Sequence, residues 1–239
     1  MPRFFLENII GDKTVITGPD ATHISKSLRM KVGDEITLCD MKGTDYFSVI
    51  EKIDENVYCR VMSSERSKTE PDIRVTLYQA LPKSDKLELI IQKAVELGVS
   101  EIVPVLTSRC ISRPDEKSMD KKLERFSKIS LEAAKQSGRG IIPCVLPTVS
   151  FKEAIDRMKS DDLAIICYEG GGKRLSHLKL PERKTISLII GAEGGFSEEE
   201  IEFSKKSGIE IVGLGPRILR CETAPLAAIS IIMNLTENM

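Results

Sequence analysis

From residue 73 onward, short apolar, β-branched runs alternate with longer runs of helical period. This alternation restricts the fold more than any other feature of the chain. "IRVTLYQAL", "EIVPVL", "DLAIICY", "TISLII" and "IEIVGLG" read as strands. "DLAIICY" and "TISLII" are near-continuous apolar runs, as in strands covered by helices on both faces. "DKLELIIQKAVELG" reads as a helix, with Asp85 as cap, Glu88 three residues on and Gly98 as its stop. A long helix covers about 118–137, with Leu123, Phe126, Ile129 and Ala133 as its apolar stripe. "SFKE" at 150–153 is a capping box that opens another helix. The last helix, from Thr223 or Ala224, carries Leu226, Ala227, Ala228, Ile229, Ile231, Ile232 and Met233 on nearly all sides. It needs cover from its own domain or from a second subunit. Strands alternating with helices predict an α/β domain over 73–239 with a mainly parallel sheet.

Residues 1–68 predict a separate small module rich in strands. "KTVITG", "DEITLCD", "DYFSVIEKI" and "VYCRVMS" carry β-branched or aromatic residues between Gly, Asp and Asn. One helix interrupts them near Asp20 to Met30, with Asp20 as cap and Ile24 and Leu28 on one face. The polar "SSERSKTEPD" at 63–72 reads as a linker.

Several function classes are disfavoured. No apolar run reaches the roughly 18 residues of a membrane span, and "MPRFFLENII" does not have the form of a signal peptide. A cytoplasmic protein is expected. The six cysteines form no C-x-x-C pair and read as reduced thiols. With two histidines, His23 and His177, no metal site is expected. No G-x-S-x-G elbow accompanies them.

"LIIGAEGGFSEEE", 188–200, joins an apolar strand to a helix through Gly191, Gly194 and Gly195. Glycines here permit positive φ and close approach of a ligand to the backbone, or serve only the shape of the turn. Ser197 and Glu200 form a capping box. The G-x-x-G-G spacing is neither the dinucleotide fingerprint nor a phosphate loop. Glu193, Glu198, Glu199 and Glu200 would repel a pyrophosphate, so a ligand with a positive centre, such as S-adenosylmethionine, fits better. "GLGPRILRCETAP", 213–225, is a second glycine-bearing turn, with Arg217, Arg220 and Glu222. Its arginines suit either a phosphodiester or a surface ion pair.

Together, "IIGAEGGFSEEE" and "LGPRILRCETAP" resemble the ribosomal RNA small subunit methyltransferase E family, of the SPOUT class. "THISKSLRMKVGDEI", "QALPKSDKLELIIQKAVELGV" and "RFSKISLEAAKQSGR" match it in the same order. Ala192 stands where the family pattern has proline, and Cys221 where it has threonine. The resemblance implies a PUA-like β-barrel that helps bind RNA, followed by an α/β domain whose chain end threads a deep trefoil knot. It implies a homodimer through the knotted domain. It also implies methyl transfer from S-adenosyl-L-methionine to N3 of a 16S rRNA uridine, 1498 in the usual rRNA numbering, in the small ribosomal subunit.

On that reading Gly191, Glu193, Gly194, Gly195, Leu214, Gly215 and Leu219 are the candidate cofactor residues. Arg220 is the candidate to stabilise negative charge on the uracil oxygens. Glu222 or Glu193 is the candidate base, provided burial raises its pKa. N3 alkylation needs no covalent adduct with Cys221. The net charge of −1 requires any RNA contact to come from a local basic patch. Arg3, Lys26, Arg29 and Lys31 offer one in the first module, and Arg217 and Arg220 another. Lys121, Lys122, Arg125 and Lys128 read as a solvated helix face. Two alternatives stay open: methylation of a ribose 2′-oxygen or another base, and RNA binding without catalysis.

Overall fold

The structure is a computed structural model. It describes residues 1–7, 9, 11–113, 116–178 and 185–239, with the side chains of all but 116–118 and 120. The contacts divide the chain into two compact units, 1–70 with 134–142, and 71–133 with 143–239.

The first unit holds β1 (Arg3–Phe5), β2 (Lys13–Ile16), β3 (Glu35–Cys39), β4 (Thr44–Ile53) and β5 (Val57–Arg66) in one sheet, ordered β1-β3-β4-β5-β2. β1 runs parallel to β3, and the other pairs are antiparallel. Inward positions of these strands gather Phe4, Ile16, Ile36, Leu38, Ile50 and Val57 into a core with Ile24. Three expectations change. β1 has no alternation to betray it. β5 extends to Arg66, so 63–66 of the supposed linker pair with Thr44–Phe47; their exposed polar side chains do not hinder backbone pairing. The helix begins earlier than Asp20. α1 (Gly18–Thr22) has Pro19 in its first turn, where the fixed φ of proline suits a helix, and continues as a π-helical turn over His23–Ser27. Arg29, at φ +53, follows that turn. Ile24 is buried, but Leu28 is exposed.

The second unit contains β6 (Arg74–Ala80), α2 (Lys86–Glu96), β7 (Glu101–Leu106), β8 (Cys144–Val145), β9 (Val149–Ser150), α4 (Phe151–Met158), β10 (Leu163–Cys167), β11 (Lys173–Arg174), β12 (Thr185–Ile190), α5 (Glu198–Lys206), β13 (Glu210–Gly213) and α6 (Thr223–Leu235). α3 (Glu116–Ser137) begins here. The sheet runs β11-β13-β10-β12-β6-β7-β8, with β9 also on β7. Every pairing among the described residues is parallel. β6 and β12 are its centre, and their apolar runs are buried along almost their whole length. Pro104 lacks an N–H, and it falls where the pairing of β7 passes from β8 to β9.

Asp85 precedes α2 but makes no side-chain cap bond, and Glu88 instead accepts from Arg125 at 2.7 Å. α6 packs on α2. Ile232 is 0% exposed within the chain itself. A charge there tests the core of this unit, not a dimer. Leu226 and Ile231, on the other side, are half-buried.

Residues 134–142, the end of α3 and the loop after it, belong with the first unit. Gly43 N–H donates to Gly140 O at 3.2 Å, Thr69 Oγ1 donates to Gly138 O at 2.6 Å, and Lys42 bridges Ile141. Glu70 fastens the segment. It accepts from Arg139 Nε and Nη2 at 2.9 and 2.8 Å, and from the Gly140 and Ile141 N–H groups at 2.7 and 3.1 Å. The two side chains of this ion pair are 7% and 4% exposed. Removing one partner of a buried pair strands the other's charge. Glu70→Ala is expected to cost about 3–5 kcal/mol of stability by urea unfolding; an unchanged midpoint would show that the pair contributes nothing.

Candidate functional site

In a parallel sheet all strands end on the same edge. Ligands of open α/β sheets bind there, outside the carboxyl ends. β13, β10, β12 and β6 are successive neighbours, so the loops that follow them converge.

Three of these loops, after β10, β12 and β13, enclose a cavity of about 340 Å³. Gly191, Gly195, Leu214, Gly215 and Leu219 line it, as do Tyr168, Glu169, Gly172, Arg174 and Arg217. Gly195 sits at φ +64, and a Cβ there would lie 2.7 Å from Glu169 Oε1. Gly172, at φ +132, is packed so that a Cβ would fall 2.5 Å from Ile211 O. Neither position admits a side chain without rearrangement. The lining combines bare backbone with one carboxylate, Glu169, and two guanidinium groups. It can hold a flat heterocycle against glycines, a positive centre near Glu169 and a carboxylate near an arginine.

The four glutamates of 193–200 do not line this cavity. Glu200 is turned inward, accepting from Ser108 N–H at 2.7 Å and from Ser197 N–H at 2.9 Å. The charge argument against a phosphate ligand therefore loses its basis in these residues. Gly194 is also absent from the lining; it faces Arg109, whose Nη1 donates to Gly194 O at 3.0 Å. Glu193 points away, toward a neighbouring cavity of about 320 Å³ lined by Lys86, Ala192, Glu193, Ile218, Leu219, Arg220 and Cys221.

Lys86 organises this second cavity. Its Nζ lies 3.0 Å from Glu193 Oε1 and 3.2 Å from Glu222 Oε2. Backbone N–H of Lys83 adds bonds to Glu193 at 3.2 and 3.3 Å. The Cys221 thiol donates to Glu222 Oε2 at 3.2 Å. Burial works to raise the Glu193 carboxyl, but Lys86 and the backbone N–H groups outweigh it and hold the carboxyl below the ordinary glutamate value. The Cys221 thiol, against an opposing effect of burial, holds Glu222 low, with help from Lys86. Burial first, then Glu222 and Glu193, push the Cys221 thiol up to about 12. The condition set for a glutamate base is thus reversed: both carboxylates are ionised and weakly basic. Cys221 stays a neutral thiol, unsuited to nucleophilic attack.

The candidate RNA residues scatter. Arg3 is ion-paired with Asp45, with the side chains 15% and 10% exposed, and it donates to Ser67 Oγ at 3.1 Å. That makes it a structural residue of the first unit. Lys26, Arg29 and Lys31 are exposed on one short stretch of that unit. Arg217 is exposed at the first cavity and Arg220 at the second.

Tyr168, Glu169, Gly171, Gly172, Arg174 and Lys86 are not singled out by sequence pattern. "YEGGGKR" follows a buried-type strand, as the two recognised glycine turns do, and that signal points to the first five. For Lys86 nothing local does so. Among the described residues no group of His, Cys, Asp and Glu could hold a metal ion, and no helix is long and apolar enough to cross a membrane.

Residues 69–233 match the RNA methyltransferase domain family, and 16–61 match the RNA methyltransferase PUA domain. The chain is 38% identical over 231 residues to ribosomal RNA small subunit methyltransferase E of Bacillus subtilis, covering 93% of this chain and 90% of that one. It is 31% identical to the protein of the same name from Mesomycoplasma hyopneumoniae, covering 95% and 96%. The crystal structure of a ribosomal RNA small subunit methyltransferase E from Neisseria gonorrhoeae, bound to S-adenosyl methionine, superimposes with a TM-score of 0.86 at 32% identity, over 98% of each chain.

Lys86→Met should move the Glu193 and Glu222 carboxyls up toward the ordinary glutamate value in carbon-13 NMR titrations. The sign follows from depressed folded-state values. Their contribution to stability is present above the unfolded value of about 4.3 and is lost as pH falls through the depressed ones. Carboxyls that titrate unchanged in the variant would show that Lys86 does not hold them.

Proposed function

This chain belongs to the ribosomal RNA small subunit methyltransferase E family, and from that premise we propose that it methylates N3 of a uridine in 16S rRNA, uridine 1498 in the usual numbering. The methyl donor in this reading is S-adenosylmethionine. Support comes from the first cavity, whose three glycine-bearing loops present backbone and one carboxylate, Glu169, to a nucleoside ligand with a positive centre. Backbone groups of Gly191, Gly195, Leu214, Gly215 and Leu219 would hold that ligand. When bound, it supplies a methyl carbon on a sulfonium, whose C–S bond breaks with both electrons retained by sulfur.

The residues around the acceptor base do the rest. Uracil N3 is a poor nucleophile until its proton is lost, and the charge then rests largely on the ring oxygens. Arg220, which lines the second cavity, would stabilise that charge. Ala192, Ile218 and Leu219 line both cavities, so donor and acceptor would be neighbours held in position, a large source of acceleration. The depressed carboxyls of Glu193 and Glu222 favour loss of the N3 proton to water over either as a strong base. In the first unit, Lys26, Arg29 and Lys31 would meet RNA phosphates. The proposal includes a homodimer, supported by the half-buried Leu226 and Ile231 of α6, and the knotted chain end implied by the family.

Transfer of labelled methyl from S-adenosylmethionine to small subunits from cells lacking this activity tests the reading. Nucleoside mass spectrometry should return 3-methyluridine. A ribose adduct would move the enzyme to the 2′-oxygen class, and binding without transfer would leave an RNA-binding module.

A second outcome concerns the pocket. Gly195→Val forces a β-branched residue to φ +64 against Glu169. Its affinity for S-adenosylmethionine in calorimetry should fall by about tenfold or more while the fold persists. Wild-type affinity in the folded variant would place the cofactor elsewhere.

A further inference from the structure

We propose that Lys86 is a further catalytic residue: with the target base in the second cavity, its ammonium group contacts one uracil ring oxygen and stabilises the anion formed at N3. The inference rests on the uracil-N3 reading and assigns a residue to it.

Lys86 begins α2, on the loop after β6, and is 107 positions from Glu193 in sequence. The parallel pairing of β6 with β12 places the two loops side by side. An ammonium group has three N–H donors. Two are directed at strong acceptors, Glu193 Oε1 at 3.0 Å and Glu222 Oε2 at 3.2 Å. The third is directed at Cys221 Sγ, 3.8 Å away. A thiol sulfur is a weak acceptor, and a carbonyl oxygen bearing negative charge is a far better one. The side chain is 33% exposed at the cavity, so a base can reach it.

The chemistry calls for a second cation. Uracil N3 lies between two carbonyl groups, and the charge left by its proton is shared by both oxygens. Two cations line the cavity, Lys86 and Arg220, which allows one for each oxygen. Glu193 and Glu222 keep Lys86 protonated, since their hydrogen bonds push its pKa upward. It therefore serves as a fixed charge and not as a base. The charged and titratable groups facing it are Glu193 from the loop after β12, and Glu222 and Cys221 from the loop before α6. The N3 proton leaves to water, and the N3 electron pair then forms the bond to the methyl carbon. A cation beside N3 lowers the pH at which that proton departs.

Single-turnover methyl transfer to small subunits tests this, with saturating cofactor, across the neutral to alkaline range. Lys86→Met should lower the rate near neutrality by about 100-fold. Its pH profile should shift alkaline by about one unit or more, with affinity for S-adenosylmethionine unchanged. Lys86→Arg should regain part of the rate and the original profile. Lys86→Gln keeps a donor for Glu193 and carries the same expectation as the Met variant, should that one not fold. An unchanged rate overturns the proposal. So does an equal loss at every pH accompanied by weaker cofactor binding, which would make Lys86 a brace for the glycine loop. Absence of transfer by the wild-type protein overturns the N3 reading as well. Wild-type transfer with a normal Lys86→Met rate overturns only the role of Lys86.

Discussion

Parallel pairing places the carboxyl ends of β13, β10, β12 and β6 next to one another on a single edge, and everything functional in the second unit follows from that. The loops after β10, β12 and β13 carry glycines and the one after β6 carries none. Side by side, three of them enclose a cavity, and the fourth brings Lys86 to the carboxylates of its neighbours. Such a sheet needs its central strands covered on both faces. This is why β6 and β12 are buried along nearly their whole length, and why long helices separate them in sequence.

Charge in the site is balanced locally. Two carboxylates meet one ammonium group within hydrogen-bond distance, and an exposed arginine lies at the same cavity. A group that stays ionised over the working range is a poor proton acceptor but a stable electrostatic fixture. The arrangement suits a reaction whose difficulty lies in stabilising an anion on the acceptor. It contrasts with Glu200, whose carboxylate is consumed by backbone N–H groups, one at the entry to α5 and one in the loop after β7.

Local signals in the sequence translate directly where a few neighbouring residues decide the outcome. The capping boxes Ser150/Glu153 and Ser197/Glu200 are both formed, and Gly98 ends α2 at positive φ. The glycines at 191 and 195 occupy the cavity wall that their spacing suggests. Long-range partners were not legible. Arg3 reads as a free cation until β1 pairs with β3 and sets it against Asp45, 42 positions away. Lys86 reads as one exposed lysine among many until β6 lies beside β12. Charge content misled for the same reason: Glu193 and Glu200 lie within five positions of the glycines in sequence, yet neither lines the cavity. Asp85 and Asp20 have the right type for caps, but α2 forms without such a bond, and α1 already begins at Gly18, which puts Asp20 inside its first turn.

The fastening of 134–142 to the first unit has a consequence for the order of assembly. A chain emerging from its N-terminus exposes residues 1–70 first, but the partner for Glu70 arrives only with Arg139 to Ile141. In the meantime β6 and β7 are already made, while β12, the other neighbour of β6, is not. Biosynthesis therefore passes through a stage in which the first sheet has all five strands but lacks the contacts of 138–141, while the second sheet is half-built with a bare edge on β6. Such intermediates are prone to wrong pairing. Closing contacts across long stretches of sequence is also slow, because the entropy of the intervening loop is lost before the contacts repay it.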